Sequence, residues 1–267
     1  MKKLCFTIFS RIICIVVFVG IQSNCLSQRD EYRSQITPME IRNIINLTPI
    51  GSSVHEQTIS RACYSKLANI SYSVYTELWE KDTKNFRLNY LRGISSFTYW
   101  ITLQGLLMDR EFTEDKLAAK IEIALKSCFK AALEANPKSA EVNRDYGFYL
   151  WQYGNDMATG LEMVRKSVQL APSDSKCHCR LGEIYMNPSG NAFNMVAAER
   201  ELRLAIKLNG NYIGPRNALI SVLSRTKRYQ EASEQHLIVA NLGPKSMQNE
   251  PWFKMQSKWI QADLKKK

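Results

Sequence analysis

The sequence predicts an all-α protein in which pairs of helices repeat along the second half of the chain. Apolar residues recur at helical spacing through most of its 267 residues. Helix-stopping residues, chiefly Pro and Gly, then recur at a nearly constant interval in the second half. We therefore expect a series of antiparallel helical hairpins, preceded by further helices.

The first 27 residues have the composition of a secretory signal. Three basic residues flank an uncharged apolar run at 12–21, and polar residues follow it. The small residues before Gln28 make that position the expected mature start, so the protein is expected to be exported, either secreted or periplasmic. The alternative is that residues 1–27 are retained as a membrane anchor.

The chain is basic, with a formal net charge of +11 that falls to +8 without the first 27 residues. Such a charge favours acidic partners or anionic membranes. The lysines and arginines are scattered among acidic residues, and only Lys265, Lys266 and Lys267 form a run. Nucleic-acid binding is therefore not expected.

Several helices are predicted ahead of the repeats. Thr37 and Pro38 supply an N-cap and a first helical residue, and a turn follows near Gly51. The predicted helices span 38–46, 54–81 and 86–110, and a fourth, capped by Thr113, runs to about 136. Four segments follow from this pattern: a signal at 1–27, a helical region at 28–112, repeats at 113–244 and a C-terminal segment at 245–267.

The repeat is visible in its punctuation. Helix-ending turns reach Pro137, Pro172, Gly210 and Pro244, which are 35, 38 and 34 residues apart. Each interval holds two amphipathic stretches with marked residues at corresponding places. In the first stretch these are Tyr146-Gly147, Leu181-Gly182 and Leu219-Ile220, and in the second they are Gly160, Ala198 and Ala232.

This pattern resembles the tetratricopeptide repeat (TPR) family over residues 140–244, and it leaves open a degenerate fourth unit before Pro137. The resemblance implies a superhelix of helical hairpins in which small residues allow close backbone approach. Asn143, His178 and Arg216 depart from it, because they stand where the family has a large residue. Related families such as Sel1-like repeats fit the period less well and imply the same architecture.

A last helix is expected from Pro251. Its apolar face is matched by lysines on the opposite face, including Lys254 and Lys258. The apolar residues are Trp252, Met255, Trp259, Ile260 and Leu264. We expect this helix to cap the open end of the repeats. The alternative is that it lies on an anionic membrane.

No catalytic motif or complete metal site is recognisable, and no cofactor is expected. Cys177, His178 and Cys179 have metal-ligand side chains, but neighbouring residues on a helix diverge by roughly 100°. After signal removal Cys63 and Cys128 accompany these two cysteines. Export would permit disulfides among the four, and burial as thiols is the favoured alternative, with the pairing left open.

The resemblance implies a concave face, built from the first helix of each unit, that holds an extended peptide or a partner's helix. Helical phase places eight candidate partner-binding residues there: Arg144, Phe148, Trp151, Gln152, Lys176, Glu183, Asn217 and Ser221. Trp and Arg are the types that most often carry interface energy. Trp151 and Arg144 are therefore the expected anchors.

The predicted function is non-catalytic binding of a protein or peptide partner by an exported helical-repeat protein. One alternative is a membrane-tethered assembly factor of the cell envelope, in contact with lipid through residues 1–27 or the basic C-terminal helix. A second alternative is a small enzyme domain at 28–112 that the repeats dock, although that region holds no clustered acid, base or nucleophile.

Overall fold

A computed structural model describes residues 36–64, 67–107, 115–190, 192–243, 248 and 251–264. Throughout these ranges the regular secondary structure is helical, as predicted. The chain divides into two compact units between Pro172 and Ser173, and each unit is considered separately. The predicted signal at 1–27 lies outside the described residues. Among the described helices, none combines the length and apolar character needed to cross a membrane.

The first unit contains seven described helices. They are α1 (Pro38–Leu47), α2 (Val54–Tyr64), α3 (Ala68–Lys81), α4 (Phe86–Leu107), α5 (Asp115–Ala135), α6 (Ala140–Gln152) and α7 (Met157–Leu170). The first begins as its sequence predicts. The Thr37 hydroxyl accepts a hydrogen bond from the Glu40 backbone N–H at 3.2 Å, and the Glu40 carboxylate accepts one from the Thr37 N–H at 2.7 Å. This reciprocal capping box satisfies two otherwise unpaired backbone donors.

The single helix predicted over 54–81 is wrong, because the chain forms two helices, α2 and α3, in that range. The Leu67 N–H reaches back to the Ala62 carbonyl at 2.7 Å, and α3 then packs against α2. Apolar spacing continues through this turn without a Pro or Gly to mark it. The break is a tertiary event, since folding back buries Ala68 and Val74.

The helices α4 and α5 pack against each other as a long antiparallel pair. Ile121, Leu125, Phe129 and Ala132 are buried in this contact region, as their spacing predicts. The exception is Leu117, predicted for the same face, which is 38% exposed near the described start of α5. At the start of α5 the core therefore takes in Ala118, which is buried, in place of the predicted Leu117.

The predicted small residues bring α6 and α7 together. A Cβ added at Gly147 would lie 2.7 Å from the Met163 Cβ, and one added at Gly160 would lie 2.5 Å from the Trp151 backbone nitrogen. Real Cβ contacts are not this short. The two backbones approach so closely that only glycine fits at either position.

The second unit contains α8 (Ser175–Met186), α9 (Met195–Leu208), α10 (Ile213–Arg225), α11 (Tyr229–Leu242) and α12 (Pro251–Leu264) in its described part. The pairs α8–α9 and α10–α11 each form a hairpin. Helices end at Leu170, Leu208 and Leu242, just before the predicted stopping points. The TPR-like series of helical hairpins is therefore confirmed at the level of fold.

The helix α12 packs on α11 at the end of the second unit. Phe253 and Ile260 are buried in one core with Ala232 and Val239. The Phe253 ring also lies 4.2 Å from the imidazole of His236, measured between ring centroids. The side chains of Trp252, Trp259 and Leu264 lie outside the described set. The helix α12 thus covers part of α11, and its role as a cap of the repeats stays a prediction.

Candidate partner-binding site

Arg144, one of the two predicted anchors, lies in α6 and is only 4% exposed. Its Nε and Nη2 atoms donate to the two carboxylate oxygens of Asp145, each at 2.8 Å. The Tyr90 hydroxyl on α4 donates to Asp145 at 2.9 Å and lies 3.3 Å from Arg144 Nη2. The fork of Arg144 is therefore engaged inside the unit, where it links α6 to α4.

A second arginine extends this polar contact to a third helix. Arg87 on α4 donates to Glu56 on α2 at 2.7 Å and to Glu141 on α6 at 3.2 Å. Burial, reinforced by the charge of Glu56, raises the pKa of the Glu141 carboxyl. Desolvation likewise raises the pKa of Tyr90 well above its usual range. These groups join helices, and their geometry is that of a structural ion-pair network.

The second predicted anchor, Trp151, is 2% exposed. Its ring lies 6.2 Å from that of Phe148, which is equally buried, and its backbone faces Gly160 across the hairpin. Within the described part of the chain the Trp151 indole N–H has no acceptor. Gln152, the neighbouring candidate, is half-buried. The aromatic pair is part of the packed interior of the unit.

In the second unit, Glu183 is buried in α8 and pairs with Arg180 one turn earlier. The Arg180 Nη1 atom donates to the Glu183 carboxylate at 2.7 Å, and the Cys179 thiol lies 3.5 Å from the same carboxylate. Burial raises the pKa of Glu183, an effect that Arg180 opposes. Lys176, in the first turn of α8, is half-buried.

The remaining candidates lie on α10. Asn217 is buried, and Ser221 is half-buried with its hydroxyl 3.4 Å from the Asn217 carbonyl. The expectation of solvent exposure is thus wrong for five of the eight candidates, Arg144, Phe148, Trp151, Glu183 and Asn217. Several helices pack on the first helix of a hairpin, so helical phase alone overestimates its open face. A role in partner binding stays a prediction for all eight.

The cysteine and histidine cluster on α8 directs its side chains to different partners. The Cys177 thiol lies 3.5 Å from Asp174, and His178 Nδ1 lies 2.8 Å from the Glu201 carboxylate on α9. In the described ranges no three His, Cys, Asp or Glu side chains converge on a position that could hold a metal ion. Cys63, Cys128, Cys177 and Cys179 are all thiols in this structure.

An exposed surface that sequence reasoning missed runs along α5. We define the α5 outer face as Lys116, Lys120, Ile123, Ser127 and Lys130, which fall within one narrow arc of the helix. Ile123 is 69% exposed at its centre. No carboxylate of the described residues lies within ion-pair distance of these three lysines, whereas Lys126, to one side, pairs with Glu122 at 2.7 Å. The sequence signal for this surface is the spacing of its three lysines, which places them on one face of a helix although the basic residues of the chain are scattered overall.

Comparison with known proteins is uninformative about family. No protein-family model matches the chain, and no curated protein matches it. Among solved structures, that of yeast Tom70 aligns with 89% of this chain at 15% identity and a TM-score of 0.47. The chain spans 55% of the length of that protein. The hairpins and their glycine contacts, rather than this similarity, are the basis for describing the fold as TPR-like.

Proposed function

We propose that this chain is a non-catalytic helical-repeat protein that binds an acidic segment of a protein partner through the α5 outer face. The observation that carries the proposal is the group of three lysines around the exposed Ile123, none of which has a carboxylate partner among the described residues. In the same unit Arg87 is paired with carboxylates of neighbouring helices, and Arg144 with Asp145 on its own helix. The α5 outer face groups three such lysines on one side of a helix, around an exposed apolar side chain.

Charge and apolar burial contribute differently to such a contact. Covering the Ile123 side chain stabilises a complex by about 1.5–3 kcal/mol, whereas each exposed ion pair contributes roughly 0–1 kcal/mol. The lysines therefore favour encounter with an acidic surface and its correct orientation, while Ile123 contributes more of the affinity. A matching partner carries carboxylates on either side of an apolar residue.

The experiment is capture with the full chain from an extract, followed by zero-length cross-linking of lysine to carboxylate. We expect cross-links at Lys116, Lys120 or Lys130 to acidic residues of the captured protein. Replacing all three lysines by Glu should abolish capture. A matched control replaces three other exposed lysines, Lys84, Lys138 and Lys227, in the same way. This control should still capture the partner.

Two results would overturn the proposal. One is capture that both triple variants lose equally, with cross-links away from α5. The other is that the chain binds phosphatidylserine vesicles and loses this binding in the α5 variant, which would assign the face to a lipid surface. Circular dichroism of both variants should match the original chain, because the changed side chains are exposed.

Export is a separate part of the proposal and rests on residues 1–27 alone. We expect the intact mass of the protein from its native host to correspond to a chain beginning at Gln28. A mass that includes residues 1–27 would favour the membrane-tethered alternative. A binding role for the eight predicted concave-face residues stays a separate prediction, in which Gln152, Lys176 and Ser221 are the half-buried members.

A further inference from the structure

Arg92 is a nearly buried cation at the centre of the first unit. It lies on α4, is 8% exposed, and contacts side chains of both flanking helices. Its Nε donates to the Thr76 hydroxyl on α3 at 3.2 Å, and its Nη1 donates to the Cys128 sulfur on α5 at 3.2 Å. The guanidinium carbon lies 4.0 Å from the centroid of the Trp79 ring. The planar group is therefore stacked on one face and hydrogen-bonded along part of its edge.

Unlike other buried arginines, Arg92 has no carboxylate of the described residues within ion-pair distance. Arg144 and Arg180 each have one at 2.7–2.8 Å. A guanidinium carries five N–H donors, of which two are used here, one of them by a thiol, a weak acceptor. The ring of Trp79 attracts the guanidinium by a cation–π interaction, which offsets only part of the cost of desolvating an unpaired charge.

The sulfur is not a counter-ion for this charge. Burial raises the pKa of the Cys128 thiol, although the charge of Arg92 opposes the shift. At neutral pH the guanidinium thus faces a neutral thiol, a neutral hydroxyl and an indole ring. None of these three groups carries a negative charge that would neutralise the guanidinium.

The surroundings hold Arg92 in place. The Trp79 indole N–H donates to Asn89 Oδ1 at 2.9 Å, and the Asn89 amide nitrogen donates to the Thr83 carbonyl at 2.8 Å. The hydroxyls of Ser95 and Ser96 both donate to the Arg92 backbone carbonyl. A cation positioned in this way gives up little conformational freedom when it binds an anion.

We propose that Arg92 is the cationic centre of a carboxylate-binding site formed by α3, α4 and α5. A carboxylate matches the planar fork, because its two oxygens accept parallel N–H bonds from one guanidinium. The carboxylate comes either from a free organic acid or from an acidic side chain of a bound peptide. This site is separate from the α5 outer face and does not depend on the proposed partner.

The test follows Arg92 directly in the full chain labelled with nitrogen-15 arginine, using sodium acetate as the probe and chloride to hold the ionic strength constant. We expect the Arg92 Nε–H resonance to shift with saturation and the unfolding temperature to rise with acetate. The Arg92→Lys variant keeps the charge and loses the fork, so its acetate affinity should be about tenfold weaker or worse.

The matched control is Arg200→Lys, which changes an arginine that is 73% exposed. This variant should bind acetate as the original chain does. A linear, unsaturated shift of the Arg92 resonance, or equal acetate stabilisation in both variants, would overturn the site and leave Arg92 as a solvated structural cation.

Blocked peptides separate the two sources of the carboxylate. Acetyl-Gly-Glu-Gly-amide, compared with its Gln counterpart, presents one acidic side chain without a terminal carboxylate. Saturation with the Glu peptide as well as with acetate supports an acidic side chain as the ligand. Saturation with acetate alone supports a small organic acid, and saturation with neither contradicts the site. The results of the acetate and peptide experiments do not depend on whether the α5 outer face binds a partner. A failed capture experiment would therefore leave this test of Arg92 intact.

Discussion

The hairpins α6–α7 and α10–α11 have the same topology but are held together by different contacts. In α6–α7, Gly147 and Gly160 allow backbone to approach backbone, with Cβ positions that would fall 2.5–2.9 Å from neighbouring atoms. In α10–α11, Ala232 is the buried small residue, and Arg216 on α10 donates to Gln235 on α11 at 2.8 Å. In the first hairpin the two helices approach until backbone atoms are near contact, whereas in the second hairpin side chains join the two helices.

This difference shows that the repeat period and the interhelix spacing are separate properties. The turns at 153–156 and 226–228, between the two helices of each pair, set the topology of both hairpins. The size of one residue at the crossing then sets how closely the helices approach. A hairpin whose helices touch through backbone atoms has fewer ways to accommodate an added methyl group. Replacing its small residues should therefore lower the free energy of unfolding by more.

The largest effect is expected for Gly160→Ala, which should lower the free energy of unfolding by about 3 kcal/mol because the added methyl group meets backbone atoms. Ala232→Gly in the other hairpin should cost only about 1 kcal/mol, chiefly through lost helix propensity. Urea unfolding measures both. A control, Gly51→Ala, should be nearly neutral, since a Cβ there has no neighbour within 4 Å. Equal costs for the first two changes would refute the distinction between the hairpins.

A smaller effect is expected for Gly182→Ala in the hairpin α8–α9. The added Cβ would lie 2.7 Å from the Leu202 Cγ, a side-chain atom. Because that side chain can adopt another rotamer, the cost should be about 1–2 kcal/mol. In a Leu202→Ala background, which lacks the γ carbon, the same change should cost less, as a double-mutant cycle would show. A cost that matches that of Gly160→Ala in both backgrounds would contradict this reasoning.

The turns of the two hairpins offer a third comparison. Asn155, before α7, and Lys227, before α11, both have positive φ, at 55° and 62°. Asn tolerates this conformation better than Lys does. Lys227→Gly should therefore raise the free energy of unfolding by about 0.5–1 kcal/mol, while Asn155→Gly should change it little. Thermal unfolding of the two variants measures these changes. An equal gain in the free energy of unfolding from both variants would contradict the prediction.

The smallest effect is expected at the ion-pair network that joins α9 to α11. Arg228 bonds Glu199 and Glu231, each at 2.7 Å, and Arg203 bonds the same two carboxylates. Since the Arg228 side chain is 39% exposed and reached by solvent ions, Arg228→Gln should cost about 0.5 kcal/mol at low salt and less at high salt. Unfolding at two ionic strengths measures this difference. A cost that salt does not change would show that packing, rather than charge, is involved.

Much of the local structure could be predicted because local chemistry determines it. The capping box at Thr37, the glycines of α6 and α7 and the stops before Pro137 and Pro172 act within a few residues or across one hairpin. The break between α2 and α3 could not be predicted, since it depends on which helices the two segments pack against. For the same reason the sequence did not show that the lysines of α5 lie apart from the acidic residues among which they are scattered.

The sequence by itself determined the helical class, the repeat period and the places where helices stop, because these depend on periodicity and turn chemistry carried by neighbouring residues. Only the tertiary structure decided which faces stay open. It buried Arg144 and Trp151, left Ile123 exposed, and set Arg92 against an indole and a thiol, with no carboxylate of the described part of the chain in ion-pair distance. Exposure and charge pairing depend on residues distant in sequence that packing brings together, and helical phase contains no information about those neighbours.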